Sequence, residues 1–416
     1  MCRVPQELVD EILHNLRDDI PALKRCSIAA SMFFMTARSH IFRKLEVEPH
    51  AHPRSFRSCQ QRYKFLITYP HLARLVQELC VIWTVPPAPK TQISRWEINF
   101  DLDDSDEEHD YLRFRSKDAK VVRKQLPLIL NLLDLKKISL VASGSVKTYV
   151  IWSFLEEPLD HALSTLLRSQ NLQSVHIRGA IFRSPRHLLS LLSTATCLRE
   201  LSLSRILYSS PVDEWKSWPE SEQWRPSLEI LLLSEIGSHS LCECFVNSQI
   251  DLTHLHTLTI ATDRDDSRNA LMREVSNRVE HLKLQLRLVH DIVDLTVTTS
   301  QGRLDVATMF GLNLRSLHIS TTYLYRLMNS FFHVCPRDSL LESLIFEGPA
   351  CKNYDQLLDD TIELAVVHLR SLKKVEIRAV YLVSPGADSA MLSTHLRFSL
   401  PSLEKRATNQ TPPGWE

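Results

Sequence analysis

The segment LRELSL at residues 198–203 has aliphatic residues at its first, fourth and sixth positions. The same spacing recurs along the chain, with valine, isoleucine or phenylalanine in place of some leucines, at residues 172–177, 228–233, 255–260, 279–284, 314–319, 341–346 and 372–377. Weaker copies occupy residues 76–81 and 135–140. Because side chains along a β-strand alternate between faces, the last two aliphatic residues of each segment are predicted to point inward and their neighbours outward.

The segments recur at intervals of 24 to 35 residues, which resembles the period of leucine-rich repeats, about 20–29 residues. Helical patterns follow several of them, as in PRHLLSLLSTAT at residues 185–196. Strand-and-helix units of this kind bury their apolar faces by stacking side by side. The predicted fold class is therefore α/β: a short all-helical amino-terminal domain, then an irregular leucine-rich-repeat-like solenoid with a curved parallel sheet and outer helices.

Two points of this prediction stay open. A further candidate strand at residues 292–297 follows the segment at 279–284 so closely that one of the two is not a repeat strand. An ordinary α/β domain with several parallel strands is the alternative fold, although the glycine-rich turns of doubly wound folds are absent.

The amino terminus has a different pattern, VPQELVDEILHNLRDD at residues 4–19. Its aliphatic residues fall at helical spacing with charged residues between them, which predicts an amphipathic helix that ends before Pro21. A second helix is predicted over Leu23, Cys26, Ile28 and Ala29, and a third over residues 33–42. Three short helices rarely stabilise themselves, so their surplus apolar surface should be covered by the next domain or by another protein.

These three helices resemble the F-box, in the form common in large fungal families. The resemblance rests on VPQELVDEIL at residues 4–13, ALKRCSIAASMFF at 22–34 and ARSHIFRKLEV at 37–47. It implies binding to the Skp-family adaptor of a cullin-based ubiquitin ligase. The residues that the resemblance places at or near the adaptor are Val4, Pro5, Leu8, Val9, Ile12, Leu13, Leu16, Leu23 and Phe33.

The expected function is that of a substrate-recruiting subunit, whose repeat surface holds an unknown target protein. The outward strand residues proposed for target binding are His176, Arg178, Glu200, Ile230, Leu232, His281, Lys283, His318, Ile345 and Lys374. One alternative is a protein-interaction scaffold that recruits no ligase, and another is that the amino-terminal helices only cap the repeats. An enzyme on an α/β scaffold is a third alternative.

The expected boundaries are an F-box-like domain at 1–48, a connecting region at 49–134, the repeat region at 135–403 and a flexible tail at 404–416. The connecting region contains DLDDSDEEHD at residues 101–110, where seven carboxylates within ten positions predict a solvated loop. Weak cation capture or a basic partner is the other interpretation of this loop.

The amino-acid composition limits the classes of partner and the cellular location that we expect. The 49 Lys plus Arg balance 49 Asp plus Glu, which leaves no global attraction to nucleic acid or to an anionic membrane. Nine scattered cysteines without a Cys-x-x-Cys pair predict free thiols in a reducing compartment, the cytoplasm or nucleus. The chain has no apolar run of the ~20 residues that a membrane-spanning helix needs. With no reactive constellation or metal-ligand spacing, we expect no catalytic residue, metal or cofactor.

Overall fold

The computed structural model describes residues 5–49, 54–84, 124–143, 150–151, 157–208, 226–234, 242, 245–246, 250–261, 265–286, 313–321, 335–336, 339–349, 369, 371–380 and 393–399. The chain divides into two compact units, Met1–Leu198 and Arg199–Glu416. Each unit combines helices with mainly parallel strands, which confirms the mixed α/β class. The division after Leu198 falls inside the region predicted as one repeat array. The acidic segment 101–110, the candidate strand 292–297 and the tail 404–416 lie outside the described residues.

The first unit begins with three helices, α1 (Gln6–Asn15), α2 (Ile20–Ala29) and α3 (Ser31–Phe42). Helix α2 starts where the Asp19 carboxylate accepts a hydrogen bond from the Ala22 backbone N–H at 2.9 Å, with Pro21 in the first turn. Ala30 has extended backbone between α2 and α3 and separates them. The three helices lie where the apolar spacing predicts them.

A small core joins these helices. Val9, Leu13, Leu23 and Ala37 are fully buried, and partly buried apolar residues pack around them: Leu16, Cys26, Met32, Phe33 and Ile41. Burial of each large aliphatic side chain contributes about 1.5–3 kcal/mol. The buried positions of α1 are four residues apart, so they form one stripe along the helix.

The strands of the first unit are β1 (Lys44–Val47), β2 (Glu78–Thr84), β3 (Lys137–Ser143), β4 (Val150–Ile151) and β5 (Ser174–Phe182). The first three and β5 pair in parallel in that order, and β4 pairs with β5. The helices after α3 are α4 (Cys59–Thr68), α5 (Pro70–Ala73), α6 (residues 124–132), α7 (Glu157–Leu167) and α8 (Pro185–Ser193). The predicted strands at 76–81, 135–140 and 172–177 therefore correspond to β2, β3 and β5.

The second unit contains β6 (Glu200–Tyr208), β7 (Ile230–Ser234), β8 (Thr257–Ala261), β9 (His281–Leu286), β10 (Ser316–Thr321), β11 (Ser343–Pro349), β12 (Lys374–Val380) and β13 (Ser393–Ser399). Helix α9 (Asp265–Val275) lies between β8 and β9 in sequence. Strands β6 to β12 pair in parallel, each with the next one along the chain.

Two apolar rows run across these strands. The first row is Leu201, Leu231, Leu258, Leu282, Leu317, Leu344 and Val375, and the second begins Leu203, Leu233, Ile260, Leu284, Ile319 and Phe346. All these side chains are buried. They occupy the last two aliphatic positions of the predicted segments, so the predicted inward direction is correct.

In the repeated segments, the residue that follows the first aliphatic position makes the same kind of backbone hydrogen bonds. Its carbonyl oxygen accepts two N–H donors from the next segment, as Arg199 does from Glu229 at 2.8 Å and Ile230 at 3.0 Å. The same paired acceptance occurs at Lys136 in the first unit and at Glu342 in the second. Because each such carbonyl is satisfied by the following strand, the register of one segment determines that of the next.

The last strand differs from the predicted pattern, since β13 pairs with β12 in antiparallel direction. Its connection, residues 381–392, is the shortest between consecutive strands of the second unit. These twelve residues are at the lower limit of the crossover, usually a helix, that a parallel pair needs, so the short connection favours an antiparallel return. The parallel arrangement therefore ends at β12.

The six described cysteines are free thiols, and Cys59, Cys242 and Cys335 are buried. Burial raises the pKa of the Cys59 and Cys335 thiols to about 12. Because the thiolate is the reactive form, alkylation at these two positions should be slowed by about a thousandfold or more relative to an unperturbed thiol.

Pulsed iodoacetamide labelling with mass spectrometry of the peptides checks this. We expect the half-buried Cys197 to be labelled well before Cys59 and Cys335 in the folded chain. All three should react alike in denaturant. Equal labelling in the folded chain would contradict the burial of Cys59 and Cys335.

Candidate protein-binding surfaces

Helix α1 has a second apolar stripe, which lies outside the core. Leu8 and Ile12, four residues apart, are 50% and 49% exposed. Glu7 and Glu11 have the same spacing and are exposed beside them. Since residues four apart share a helix face, this outward face is an aliphatic stripe bordered by carboxylates. We call these four residues the α1 face.

A side-chain hydrogen bond joins α1 to α3, and a second bond within α1 shares its acceptor. The Thr36 hydroxyl donates to Asp10 Oδ1 at 2.9 Å, and the Gln6 amide donates to the same oxygen at 2.8 Å. The bond to Thr36 joins residues 26 positions apart in sequence. It therefore fixes the rotation of α1 on α3, which directs Val9 and Leu13 inward and leaves Leu8 and Ile12 at the surface.

The predicted adaptor residues fall into three groups. Pro5 is exposed at the start of α1, next to the α1 face. Val9, Leu13 and Leu23 are fully buried, while Leu16 and Phe33 are half-buried around them. Val4 lies outside the described residues. The buried residues hold the three helices together, so Pro5, Leu8 and Ile12 are the members that are exposed at the surface.

The predicted target-binding residues of the second unit lie in two neighbouring rows. The first row is Glu200, Ile230, Thr257, His281, Ser316, Ser343 and Lys374; the second is Ser202, Leu232, Thr259, Lys283, His318, Ile345 and Glu376. Cross-strand neighbours in a row are about 5 Å apart at their backbones. The sheet thus brings together eight of the ten predicted residues.

Exposure along these rows is uneven. His281 and Lys283 of β9 are exposed, whereas Ile230, Leu232 and Ile345 are half-buried rather than free at the surface. His318 was predicted to face a partner, yet it is buried. Its ring is covered because it lies among charged neighbours, with Nε2 only 3.0 Å from Glu347 Oε2.

The other two predicted residues, His176 and Arg178, lie on β5 in the first unit. They pair with Ser139 and Val141 of β3. Arg178 is exposed and His176 is half-buried.

A buried ionic cluster lies at the β10–β12 end of the rows. The Glu376 side chain is 1% exposed, and its two oxygens contact Lys374 Nζ at 2.7 Å and Arg378 Nε at 2.8 Å. The hydrogen bond from Arg378, followed by that from Lys374, lowers the Glu376 pKa to about 2 against the opposing effect of burial. Burial and the nearby Lys283 lower the pKa of His318, although Glu347 opposes them. The cluster therefore keeps Glu376 ionised.

We expect Glu376→Gln to lose about 2 kcal/mol of unfolding free energy at pH 7, because it removes two charge-assisted hydrogen bonds. Since the folded pKa is lowered, this stabilisation is present above the unfolded value near 4.5 and is lost as the pH falls toward about 2. Urea unfolding of both proteins over this range checks the prediction. A difference that stayed constant from pH 7 to pH 2.5 would contradict it.

A row of exposed and half-buried ionic and histidine side chains, which the sequence analysis missed, precedes the strands of the second unit. The residues at the second position of successive segments are Arg199, Glu229, His256, Glu280, Arg315, Glu342 and Lys373, so a basic side chain alternates with an acidic one. Ion pairs join them: Arg199 to Glu229 at 3.2 Å, Arg315 to Glu342 at 3.6 Å and Lys373 to Glu342 at 2.9 Å. We call this row the charge ladder.

The charge ladder favours the observed strand order, because exchanging neighbours would place like charges together. We expect Arg315→Glu to destabilise the chain by on the order of 1 kcal/mol, since it faces acidic residues on both sides. The loss should shrink in 1 M salt, which screens exposed charges. Arg178→Glu, an exposed change on a strand outside the ladder, serves as the control in urea unfolding. An equal loss for both variants, or one insensitive to salt, would contradict the electrostatic role.

The histidines and cysteines that the structure describes do not converge on a metal site. Among the described residues, no group of three or more His, Cys, Asp or Glu side chains has the arrangement to hold a metal ion. His256 instead belongs to the charge ladder, with Nε2 4.0 Å from Glu229. The helices in the described ranges are too short or too polar to cross a bilayer.

Comparison of the chain with protein-family models and with curated protein sequences yields no match.

Proposed function

We propose that this chain is the substrate-recruiting F-box subunit of a Skp, cullin and F-box type ubiquitin ligase. Its amino-terminal helices would bind the Skp-family adaptor, and through it a cullin. The observation that carries the proposal is the α1 face together with Pro5: a helix whose inner stripe is already buried, yet whose outer stripe keeps Leu8 and Ile12 half exposed. Exposed aliphatic side chains that lie next to each other, with polar residues around them, are typical of a protein-binding site.

In this proposal, the second unit is a leucine-rich-repeat array that holds a target protein on its outward rows. The parallel pairing of β6 to β12 and the two buried aliphatic rows support the assignment. His281 offers an exposed hydrogen-bonding ring and Lys283 an exposed cation, two strands away from the apolar Leu232. The chain itself would carry out no bond chemistry, and free thiols such as Cys59 suit a cytoplasmic or nuclear location.

Light scattering during size-exclusion chromatography tests the proposal with the full chain and a purified Skp-family adaptor. We expect co-elution as a complex with one copy of each protein at micromolar concentration. Separate elution of the two proteins, with the chain still folded by circular dichroism, would overturn the ligase assignment. The chain would then be an interaction scaffold that recruits no ligase.

A further inference from the structure

A second exposed apolar surface lies on the first unit, after the three amino-terminal helices. Phe56, Tyr69 and Ile67 are 59%, 46% and 51% exposed. Phe65 connects the aromatic members, with its ring centroid 6.0 Å from that of Phe56 and 5.4 Å from that of Tyr69. Phe42 stacks on Phe65 at 6.1 Å and anchors the group to α3. The result is a supported row of rings, which we call the aromatic row.

The aromatic row is basic. Residues 54–78 contain five Lys and Arg against one carboxylate, Glu78. The Arg62 guanidinium lies over the Phe56 ring, 4.2 Å from its centroid. Lys64 and Arg74 are exposed and form no ion pair with the rest of the described chain. Thus Lys64, which is three residues before the exposed Ile67 on the same helix, and Arg74 are cations to which the described residues offer no carboxylate partner.

The α1 face has the opposite character. Residues 5–19 contain five carboxylates against one basic residue, Arg17. Glu7 and Glu11 border the half-exposed Leu8 and Ile12, as Lys64 borders the half-exposed Ile67 on its helix. Each surface therefore supplies the charge that the other lacks, and both expose apolar side chains.

We infer that the α1 face of one chain binds the aromatic row of a second copy of the same chain. Every molecule carries both surfaces, so association needs no other component. Two sets of half-exposed aliphatic and aromatic side chains become buried, while carboxylates meet cations at the rim.

Self-association competes with adaptor binding, because Leu8 and Ile12 belong to both interfaces. This second step rests on the proposed function. It implies that a second copy covers the α1 face until the adaptor displaces it. The self-association itself does not depend on the adaptor, so it is measured in the adaptor's absence.

Sedimentation velocity of the full chain tests the inference by charge exchange. The wild-type chain should show an average mass that rises above the 48.0 kDa of one chain between about 1 and 100 μM at low salt. Variant Glu7→Lys with Glu11→Lys, and variant Lys64→Glu with Arg74→Glu, should each stay at the mass of one chain. An equimolar mixture of the two variants should associate again, since the exchanged charges are complementary.

The control is Lys24→Glu with Arg25→Glu, an equal charge change at exposed positions of α2. It should associate like the wild-type chain, and circular dichroism should show all three variants folded. A wild-type chain that stays at 48.0 kDa throughout would overturn the inference. So would single variants that still associate, or a mixture that does not.

Discussion

Replacing Leu8 and Ile12 together by aspartate should weaken binding of the Skp-family adaptor by roughly a hundredfold or more. Two aliphatic side chains buried at an interface contribute roughly 3 kcal/mol, and carboxylates in their place oppose binding further. Because both side chains are half exposed in the free chain, the free energy of unfolding should change by less than about 1 kcal/mol. Titration calorimetry and urea unfolding measure the two quantities.

The chain offers a matched control for this variant. Leu128 and Leu132 of α6 have the same spacing and are 42% and 43% exposed. Leu128→Asp with Leu132→Asp adds the same charges at the same exposure, and adaptor affinity should stay within about twofold of wild type. If the two double variants weakened binding equally, the α1 face would have no specific role.

Phe346→Ala should lower the free energy of unfolding by about 3–5 kcal/mol, the usual loss for a buried aromatic residue. The Phe346 side chain is fully buried and lies in the second apolar row, between Ile319 of β10 and strand β12. Removing it leaves a cavity that the paired strands on both sides cannot readily close. Chemical denaturation with two probes, fluorescence and circular dichroism, checks the loss.

Leu340→Ala is the control for Phe346→Ala, since Leu340 is 51% exposed only a few residues away. It should cost less than about 0.5 kcal/mol. A loss below about 1 kcal/mol for Phe346→Ala would show that the apolar rows do not form the core of the second unit.

The strands could be predicted because every second residue of a strand is buried, and the buried residues must be apolar. Leu201 and Leu203, for example, must both be apolar to face the core, while Glu200 and Ser202 need not be. Strand β1 was missed because KLEV has only two aliphatic residues, too few to stand out. Helix α4 was missed for a related reason, since CQQRYKFLIT has little apolar periodicity.

The candidate sites were predicted less completely. Leu8 and Val9 are equally apolar, and only the packing of α1 on α3 decides which one is buried. Glu376 lies at a position that alternation assigns to the surface, but Lys374 and Arg378 enclose it. The charge ladder did leave a signal, because its members occupy the second position of every segment from Arg199 to Lys373. Aligning the segments on their leucines would have exposed the alternation.

Hydrogen–deuterium exchange of the full chain, with and without a saturating Skp-family adaptor, is the most direct test of whether α1 binds the adaptor. We expect adaptor binding to slow exchange in peptides covering Pro5 and α1, with little change in β6 to β12. Unchanged exchange over α1 in the presence of bound adaptor would contradict it. Protection confined to the strands of the second unit would contradict it as well.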